Sequence, residues 1–371
     1  MRVGVIGGGQ LARMMVPPAI ELGIDIRVLA EVEGSSAVIA ATSVGDYTDA
    51  ATVLAFAREV DVVTFDHEHV PQSVLAALVA AGHAVHPGPD ALAVAQDKIV
   101  MRKRLSALGA PVPAWAVIRD SDGLASFLAE HGGRAVVKTP RGGYDGKGVR
   151  VVSGPRDADD WLAEAGAEGL LVEELVPFRR ELAQLVARRP SGEVRAWPLV
   201  ETVQRDGVCA EVMAPAPEAG HLSQQARTLA ERIATELGVT GVLAVELFET
   251  ADGRLLVNEL AMRPHNTGHW TIDGAVTSQF EQHLRAVLDL PLGDPSPSAA
   301  WSVMVNVLGG PADGAMPSRY PAALAADAGV KVHSYGKESR PGRKVGHVTA
   351  TGDHSDDTAA RARAAAGFFQ A

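Results

Sequence analysis

Residues 135–152 read AVVKTPRGGYDGKGVRVV, a stretch that decides the fold because it joins two strand-like runs through a loop containing four glycines. A Walker phosphate loop leads into a helix and places Ser or Thr after its lysine, whereas here Gly148 follows Lys147 and the chain becomes extended again. The pattern predicts a hairpin flap, flanked by Lys138 and Lys147, whose backbone N–H groups close over a polyphosphate. The alternative is a solvated hairpin tip that binds no ligand.

Two apolar runs, residues 241–248 and 254–260, are joined around an Asp-Gly pair at 252–253, which is a strong signal for a β-hairpin. A turn centred on that pair places Glu246 directly opposite Glu259 within otherwise apolar strands. Facing carboxylates destabilise a sheet unless a cation neutralises them, which favours Mg²⁺ held by these oxygens and by nucleotide phosphates. The alternative is a one-residue shift of register that leaves one glutamate exposed at the rim.

A polar loop, residues 263–269, follows the hairpin and should lie within reach of the metal. Arg263 is suited to hold an oxyanion, and His265 and Asn266 are suited to donate to a substrate or to orient it. Asn258, beside the second glutamate, adds a neutral oxygen next to the ion. These residues predict a substrate-binding loop beside the metal.

The C-terminal region contains a local reversal of charge. The chain has 45 acidic and 34 basic side chains and a formal net charge of −11, yet one short segment carries several cations and a single acid, Glu338. The cations are Lys337, Arg340, Arg343 and Lys344. Such a cluster is suited to a phosphate monoester, and the competing explanation is a solvated basic loop.

The glycines near the N-terminus suggest a different chemistry. Residues 7–12, GGGQLA, lie between a predicted strand and a predicted helix and satisfy the dinucleotide pattern G-x-G-x-x-A through Gly7, Gly9 and Ala12. Glu31 stands where a ribose-binding acid would follow the second strand. An NAD-dependent dehydrogenase is therefore a legitimate hypothesis. The alternative is a tight strand-to-helix turn, which also favours glycine.

Alternating β-branched runs and helical stretches up to about residue 95 predict a parallel sheet covered by helices. The expected strands are 2–6, 25–29 and 60–65, and the expected helices are 11–22, 50–58 and 71–80. Two prolines and a glycine at 85–89 predict a break without regular structure. After a proline-rich linker at 291–297, the expected elements are strands at 302–308, 330–335 and 344–350 and a helix from about 355. This organisation predicts three domains, residues 1–95, 96–290 and 291–371.

The composition is that of an ordinary globular protein, with 371 residues of which 47% are hydrophobic and 21% charged. No apolar run approaches the roughly 20 residues that span a bilayer. The single cysteine, Cys209, cannot form an internal disulfide, which fits a reducing cytoplasm. The acidic balance argues against proteins that coat nucleic acid or anionic membrane, because both would be repelled over most of the surface.

Taken together, eight motifs resemble those of the 5-(carboxyamino)imidazole ribonucleotide synthetases, a family of ATP-grasp enzymes of purine biosynthesis. The motifs are GGGQL at 7–11, EHV at 68–70, QDK at 96–98, the glycine-rich 142–148, EELVPF at 173–178, NE at 258–259, RPHNTGH at 263–269 and GRKVGH at 342–347. They occur in the family's order from Met1 to about His347. The resemblance implies an α/β fold of the ATP-grasp type. Its N-terminal Rossmann-like domain would hold a parallel sheet, its central ATP-grasp domain would carry the flap, and its C-terminal domain would be small and β-rich.

The resemblance also implies a role for each matching residue. ATP would be bound by Lys98, Lys138, the flap residues Gly143, Tyr144, Asp145, Gly146, Lys147, Gly148 and Val149, the adenine hinge Glu173, Glu174, Leu175 and Val176, the ribose-binding Glu181, and Gln204, Asn258 and Glu259. Mg²⁺ would be held by Glu246 and Glu259. Aminoimidazole ribonucleotide would be bound by Glu68, Tyr144, Asp145, Lys147, His265, Asn266, Lys337, Arg343 and Lys344. Catalysis would rest on Arg263, near bicarbonate, with His265, Asn266 and Lys147.

Two positions depart from the family's pattern. Asp66 stands where family members often carry Glu, and Gln204 stands where many carry a nucleotide-contacting His. Neither change removes a group that the chemistry requires. The ATP contact at Gln204 is left open.

The implied reaction is the carboxylation of the exocyclic amine of 5-aminoimidazole ribonucleotide, which consumes ATP and bicarbonate and passes through carboxyphosphate in a homodimeric enzyme. The nearest alternative is a formate-dependent glycinamide ribonucleotide transformylase, which shares much of the Arg-Pro-His loop. The GGYDGKG flap and the loop ending at His269 favour the imidazole enzyme. Weaker alternatives are the dehydrogenase and a non-catalytic nucleotide-binding module.

Overall fold

The computed structural model describes residues 1–143, 147–312 and 314–370, with the side chain of residue 41 left out. The flap-tip residues Tyr144, Asp145 and Gly146, for which ATP or substrate contacts are predicted, lie outside the described residues. In the part of the chain that is described, no helix is both long enough and apolar enough to cross a membrane.

The N-terminal region forms the expected parallel sheet covered by helices. Its elements are β1 Arg2–Ile6, α1 Gln10–Glu21, β2 Asp25–Ala30, β3 Ala41–Val44, α2 Ala50–Ala57, β4 Val62–Phe65, α3 Gln72–Ala80, β5 Ala84–Val85 and α4 Pro89–Gln96. The strand order is β3-β2-β1-β4-β5, and every pairing is parallel. Because β1 and β4 are neighbours, the glycine loop after β1 lies beside residues 66–69, which follow β4.

Three elements of this region were not predicted from the sequence. The edge strands β3 and β5 have four and two residues, too few for a periodic signal. The break predicted at 85–89 is wrong at both of its ends, because Val85 belongs to β5 and Pro89 begins α4. A proline is tolerated in the first turn of a helix, where its missing N–H would have no intrahelical partner.

The central region contains a four-stranded antiparallel sheet that carries the flap. Its elements are α5 Lys98–Ala107, β6 Trp115–Ile118, α6 Ser121–Glu130, β7 Ala135–Lys138, β8 Val149–Val152, α7 Asp159–Ala165 and β9 Leu170–Glu174, in the strand order β6-β9-β7-β8. Lys138 pairs with Val149, which confirms the predicted hairpin. Gly148 adopts a φ of 70°, in the left-handed region that glycine favours, and its carbonyl accepts from the Thr139 N–H at 3.0 Å. This contact closes the base of the flap.

A nine-stranded sheet forms the other side of the molecule. The remaining elements are β10 Phe178–Arg188, β11 Val194–Ala196, β12 Val200–Arg205, β13 Val208–Ala214, α8 Gly220–Glu236, β14 Gly241–Thr250, β15 Leu255–Ala261, α9 Thr271–Gly274, α10 Gln279–Val287, β16 Trp301–Leu308, α11 Tyr320–Ala326, β17 Lys331–Ser334, β18 Lys344–Gly352 and α12 Ser355–Gly367. Eight strands follow the order β15-β14-β10-β12-β13-β16-β18-β17, and β11 pairs with β10. The predicted C-terminal strands and helix are all present. Because β13 pairs with β16, strands from both sides of the linker at 291–297 share one sheet.

The β14–β15 hairpin pairs Glu246 with Glu259, but not through the predicted turn. Near the turn, Leu247 pairs with Val257 and the Thr250 N–H donates to the Arg254 carbonyl at 3.0 Å, so the loop contains three residues rather than two. If the pairing of Leu247 with Val257 continued along both strands without a bulge, Asn258 would lie opposite Glu246. A bulge at this point adds one residue to β15 and brings Glu259 opposite Glu246.

One buried apolar cluster connects the N-terminal sheet to the nine-stranded sheet. It includes Phe65 and Leu75 from the first region, Leu105 of α5, and Leu243 and Val257 of the hairpin. Burial of apolar surface stabilises by about 25 cal/mol per Å². This shared core therefore holds the two sheets in a fixed relation on either side of the cleft described below.

Candidate active site

A cleft of about 1840 Å³ opens where the N-terminal sheet, the flap sheet and the nine-stranded sheet meet. Its walls include every described residue to which the family resemblance assigns a role except Gly148, which shapes the base of the flap. The lining residues are Glu68, Lys98, Lys138, Gly143, Lys147, Val149, Glu173, Glu174, Leu175, Val176, Glu181, Gln204, Glu246, Asn258, Glu259, Arg263, His265, Asn266, Lys337, Arg343 and Lys344. Predictions from distant parts of the sequence thus converge on one place.

Glu246 and Glu259 face each other across β14 and β15. Burial raises the pKa of Glu246 to about 8, with a further contribution from the Glu259 and Glu181 carboxylates. The nearest partners are Lys98, whose Nζ lies 3.6 Å from Glu259, and His265, whose Nε2 lies 3.2 Å from Glu246. Arg263 and Lys344 lower the pKa of Glu246 but do not cancel this rise, so the buried carboxylate pair fits a hard divalent cation.

The chain supplies only part of a Mg²⁺ site. Among the described residues, no group of three or more His, Cys, Asp or Glu side chains could hold a metal ion. Two carboxylates leave the other octahedral positions to water and substrate phosphates, which is how Mg²⁺ is usually bound beside nucleotides. The Asn258 side-chain oxygen, expected next to the ion, accepts a hydrogen bond from Lys138 at 3.2 Å instead.

Two lysines approach the same part of the cleft from different elements. The Lys138 Nζ lies 2.7 Å from a Glu173 oxygen, and the Lys98 Nζ lies 3.5 Å from the Gly143 carbonyl of the flap. Asp97 caps α5 by accepting from the N–H groups at 99 and 100, which fixes Lys98 in the first turn. Both lysine side chains are nearly buried. Cations placed here fit the phosphates of a nucleotide.

Glu173 does not have the position expected of an adenine-hinge contact. Its carboxylate is 3% exposed and forms ion pairs with Arg102 and Lys138. Burial alone would raise the pKa of Glu173, but Lys138 and Arg102 hold it below its usual value. The Glu173 carboxylate is therefore occupied by these two cations, and of the residues predicted for the hinge only 174–176 keep that expectation.

Another part of the cleft wall is more apolar. Leu175 and Val176 line it together with Phe178 and Phe248, whose rings stack with their centroids 4.7 Å apart. Glu181 lies on the same wall, and burial raises its pKa. An apolar slot with a carboxylate at its edge fits a purine and a ribose hydroxyl.

Glu68 joins the N-terminal domain to the polar loop after the hairpin. One of its oxygens accepts from the Met262 N–H at 3.2 Å, and the other accepts from Arg263 Nε at 2.7 Å. Arg263 Nη1 also donates to the Pro264 carbonyl at 3.2 Å. These contacts fix the guanidinium in the cleft wall, where its charge can neutralise an oxyanion.

His265 is held as a neutral imidazole. Burial, with the nearby Arg263 and Lys344 cations, holds its pKa well below the usual value. Its Nδ1 lies 2.9 Å from the Thr267 hydroxyl, and its Nε2 faces Glu246. With Glu246 ionised, Nε2 must carry the proton, because a carboxylate only accepts. His265 is thus suited to orient groups in the cleft rather than to take up a proton.

The basic segment forms the end of the cleft beside the N-terminal glycines. Lys337 Nζ lies 2.7 Å from the Gln10 side-chain oxygen. Lys337, Arg340 and Arg343 also line an adjoining cavity of about 440 Å³, together with the backbone at Gly8. Glu31, Asp66 and Glu338 line the same cavity, but each of these carboxylates has a partner in the chain, so the cations fit a phosphate monoester.

Three family models match the chain, each over a different region. They are the ribonucleotide synthetase preATP-grasp domain over residues 1–96, the ATP-grasp domain over 103–280 and the phosphoribosylaminoimidazole carboxylase C-terminal domain over 302–361. The N5-carboxyaminoimidazole ribonucleotide synthase of Mycobacterium tuberculosis is 53% identical, with 98% of this chain and 86% of the relative covered. The chain belongs to the N5-carboxyaminoimidazole ribonucleotide synthase family.

Solved members of the N5-carboxyaminoimidazole ribonucleotide synthase family share the whole fold. An ADP complex is 35% identical with a TM-score of 0.90, covering 98% of this chain and 96% of the other. The enzyme from Aspergillus clavatus, solved with ADP and 5-aminoimidazole ribonucleotide, is 31% identical with a TM-score of 0.87, covering 99% and 98%.

Two carboxylates of the chain itself accept hydrogen bonds from the N-terminal glycine loop of this N5-carboxyaminoimidazole ribonucleotide synthase family member. Glu31 accepts from the Gly8 N–H at 3.1 Å, and Asp66 accepts from the Ala12 N–H at 2.7 Å. Gly9 packs so closely that a Cβ there would overlap the Asp66 carboxylate. Two backbone donors of this loop, at Gly8 and Ala12, are thus already paired. The dehydrogenase hypothesis is therefore not supported.

Arg102 is the main residue of the site that the sequence analysis missed. It is fully buried and contacts both Glu173 and Asn258. Its one available signal is its position four residues after Lys98, which puts both on the same face of a helix. An arginine at that spacing on an amphipathic helix is usually a surface residue, so the signal was too weak to use.

Proposed function

We propose that the protein uses ATP and bicarbonate to carboxylate the exocyclic amine of 5-aminoimidazole ribonucleotide, producing 5-(carboxyamino)imidazole ribonucleotide, ADP and phosphate for purine biosynthesis. The observation that carries the proposal is a single cleft with two separate anion sites. The first, at Lys98 and Lys138, lies beside the Glu246–Glu259 pair. The second is the basic segment at 337–344. The complex of the Aspergillus clavatus relative with ADP and 5-aminoimidazole ribonucleotide supports this division.

In the first proposed step, a bicarbonate oxygen attacks the γ-phosphoryl group of ATP and ADP leaves. Lys98 and Lys138 neutralise charge on the transferring phosphoryl group, and Arg263 holds the bicarbonate. Bound by Glu246 and Glu259, Mg²⁺ would supply further neutralisation at the phosphate oxygens. Glu174, Leu175 and Val176 would hold the adenine.

In the second proposed step, the exocyclic amine attacks the carbonyl carbon of carboxyphosphate, or CO₂ released from it. A C–N bond forms, the bond between the carboxyl carbon and the phosphate oxygen breaks (before the attack in the CO₂ route), and the amine proton passes to the released phosphate. Carboxyphosphate is short-lived in water, so closure of the 139–148 flap would protect it. The basic segment would hold the ribonucleotide phosphate, and His265 and Asn266 would orient the imidazole.

The proposal extends to the organisation of the protein. We propose domains at 1–95, 96–290 and 291–371, with the active site where they meet, and a homodimer that works in the cytoplasm. The surplus of acidic residues supports the absence of nucleic acid and membrane partners.

The test is phosphate release from ATP by the purified protein. We expect release only when aminoimidazole ribonucleotide and bicarbonate are both present. Dependence on formate and glycinamide ribonucleotide would overturn the assignment in favour of the transformylase. ATP binding without turnover under any of these conditions would instead indicate a nucleotide-binding module.

A further inference from the structure

We propose that Arg102 is a positioning residue, which holds the phosphate-binding Lys138 and the metal-binding end of β15 in one fixed arrangement. The proposal rests on the proposed function of the cleft, because it assumes that Lys138 and Glu259 act on ATP. Arg102 does not line the cleft and is fully buried behind it. Any effect that it has on the reaction must therefore pass through its neighbours.

Arg102 and three other residues, Glu173, Lys138 and Asn258, form a closed ring of contacts. The Arg102 Nε donates to one Glu173 oxygen, and its Nη2 donates to the Asn258 carbonyl at 2.6 Å. The other Glu173 oxygen lies 2.7 Å from Lys138 Nζ, which in turn donates to the Asn258 side-chain oxygen at 3.2 Å. On the side away from the cleft, Arg102 thus binds both residues that contact the Lys138 ammonium, Glu173 and Asn258.

The contact with Asn258 also links Arg102 to the carboxylate pair. The bulge at Asn258 is what brings Glu259 opposite Glu246. A hydrogen bond from a buried guanidinium to the Asn258 carbonyl anchors the backbone at this irregular point. One turn earlier on the same helix, Lys98 reaches Glu259. Helix α5 therefore sets the phosphate cations and the carboxylate pair relative to each other.

An arginine suits this position for a geometric reason. Its planar group presents donors in fixed directions, so it can serve acceptors on β9 and β15 at the same time, whereas lysine is a compact point charge. Both Arg102 and Glu173 are almost fully buried. Removing one member of a buried ion pair leaves an uncompensated charge, here one that would draw Lys138 toward Glu173 and away from ATP.

The experiment compares steady-state kinetics for the two substrates in Arg102→Met and Arg102→Lys. For Arg102→Met we expect kcat/KM for ATP to fall about 30-fold, equivalent to the ~2 kcal/mol typical of a hydrogen bond to a charged group. The KM for aminoimidazole ribonucleotide should stay unchanged. Arg102→Lys should recover part of the loss, because it restores the charge but only one of the two contacts. The proposal would be overturned if kcat/KM for ATP were unchanged in Arg102→Met, or if KM rose equally for ATP and for aminoimidazole ribonucleotide.

Arg180→Met is the matched control. Arg180 is also a nearly buried arginine with two carboxylate partners, Glu249 and Glu201, but neither it nor its partners line the cleft. We expect this variant to unfold at a lower temperature with its KM for ATP unchanged. An ATP defect equal to that of Arg102→Met would mean that loss of stability alone explains both, and the positioning role would be rejected.

Two further measurements keep the test decisive. If Arg102→Met does not fold, Arg102→Gln, whose amide can still donate one hydrogen bond, takes its place with the same expected pattern. Calorimetric titration with ADP and Mg²⁺ measures nucleotide affinity without turnover, and we expect about tenfold weaker binding in the variant. A wild-type protein without turnover would refute the proposed function alone, whereas unchanged ADP affinity in the variant would refute the role of Arg102.

Discussion

Replacing Glu246 with Gln should make the metal-free protein more stable at alkaline pH while abolishing turnover. The pKa of Glu246 is about 8 in the folded protein, against an ordinary value of 4.5. Between these values the folded state binds more protons than the unfolded state. This group therefore destabilises the wild-type protein progressively as the pH rises from 4.5 to 8, and the amide variant should lack that slope.

The structure sets the size of the effect. One pKa unit corresponds to about 1.4 kcal/mol, so the change from 4.5 to about 8 gives an upper limit of about 5 kcal/mol. The Glu246 side chain is 28% exposed, and water screens part of the repulsion. We therefore expect a gain of about 1–2 kcal/mol at pH 9, and almost none at pH 5.

The assay is urea unfolding of wild type and Glu246→Gln at pH 5, 7 and 9, with EDTA present. Glu236→Gln, an exposed glutamate on α8, is the control and should leave the pH dependence unchanged. Adding Mg²⁺ and ADP should stabilise the wild type much more than the variant. If the two proteins show parallel pH dependence, or if the variant is the less stable at pH 9, the carboxylate pair is not under electrostatic strain and the metal argument fails.

Two further predictions address the other end of the molecule. Lys337→Met should raise the KM for aminoimidazole ribonucleotide by about tenfold or more, because one charged contact to its phosphate is lost. The KM for ATP should stay unchanged, and steady-state kinetics measures both constants. A shift in the KM for ATP instead would assign Lys337 to the nucleotide. Gly9→Ala should lower the free energy of unfolding by about 1–3 kcal/mol, because its Cβ would overlap the Asp66 carboxylate. The control for thermal unfolding is Gly367→Ala, whose Cβ meets no neighbour, and equal stability of the two variants would contradict the packing argument.

Periodicity and composition predict the fold wherever one element repeats a simple pattern. β1, β7 and β8 have the bounds expected from their β-branched runs, and α12 begins at the expected Ser355. The short edge strands β3 and β5 escape prediction, because their pairing depends on a neighbouring strand rather than on their own residues.

The residues of the site are predictable when they form a motif and unpredictable when they act through a partner. Gly143, Lys147 and Glu259 occur in motifs, and all three line the cleft. Arg102 has no motif, and its burial is visible only once α5 packs behind Glu173. The bulge at Asn258 is likewise a property of two strands together, so a register counted from the turn reached the right glutamate pair through the wrong turn.

The carboxylates that line the cleft show how an acidic protein can bind anions. Most of them already have partners in the chain: Asp66 accepts a helix N–H, Glu68 holds Arg263, and Glu173 holds Arg102 and Lys138. These carboxylates position the cations or the backbone, and so they help an acidic protein to bind anions. Glu246 and Glu259 differ, because burial and the neighbouring carboxylates raise the pKa of Glu246 to about 8 although Lys344 and Arg263 act in the opposite direction. The excess negative charge of this pair lies beside Lys98, and under the proposed function it is there that a magnesium nucleotide would neutralise it.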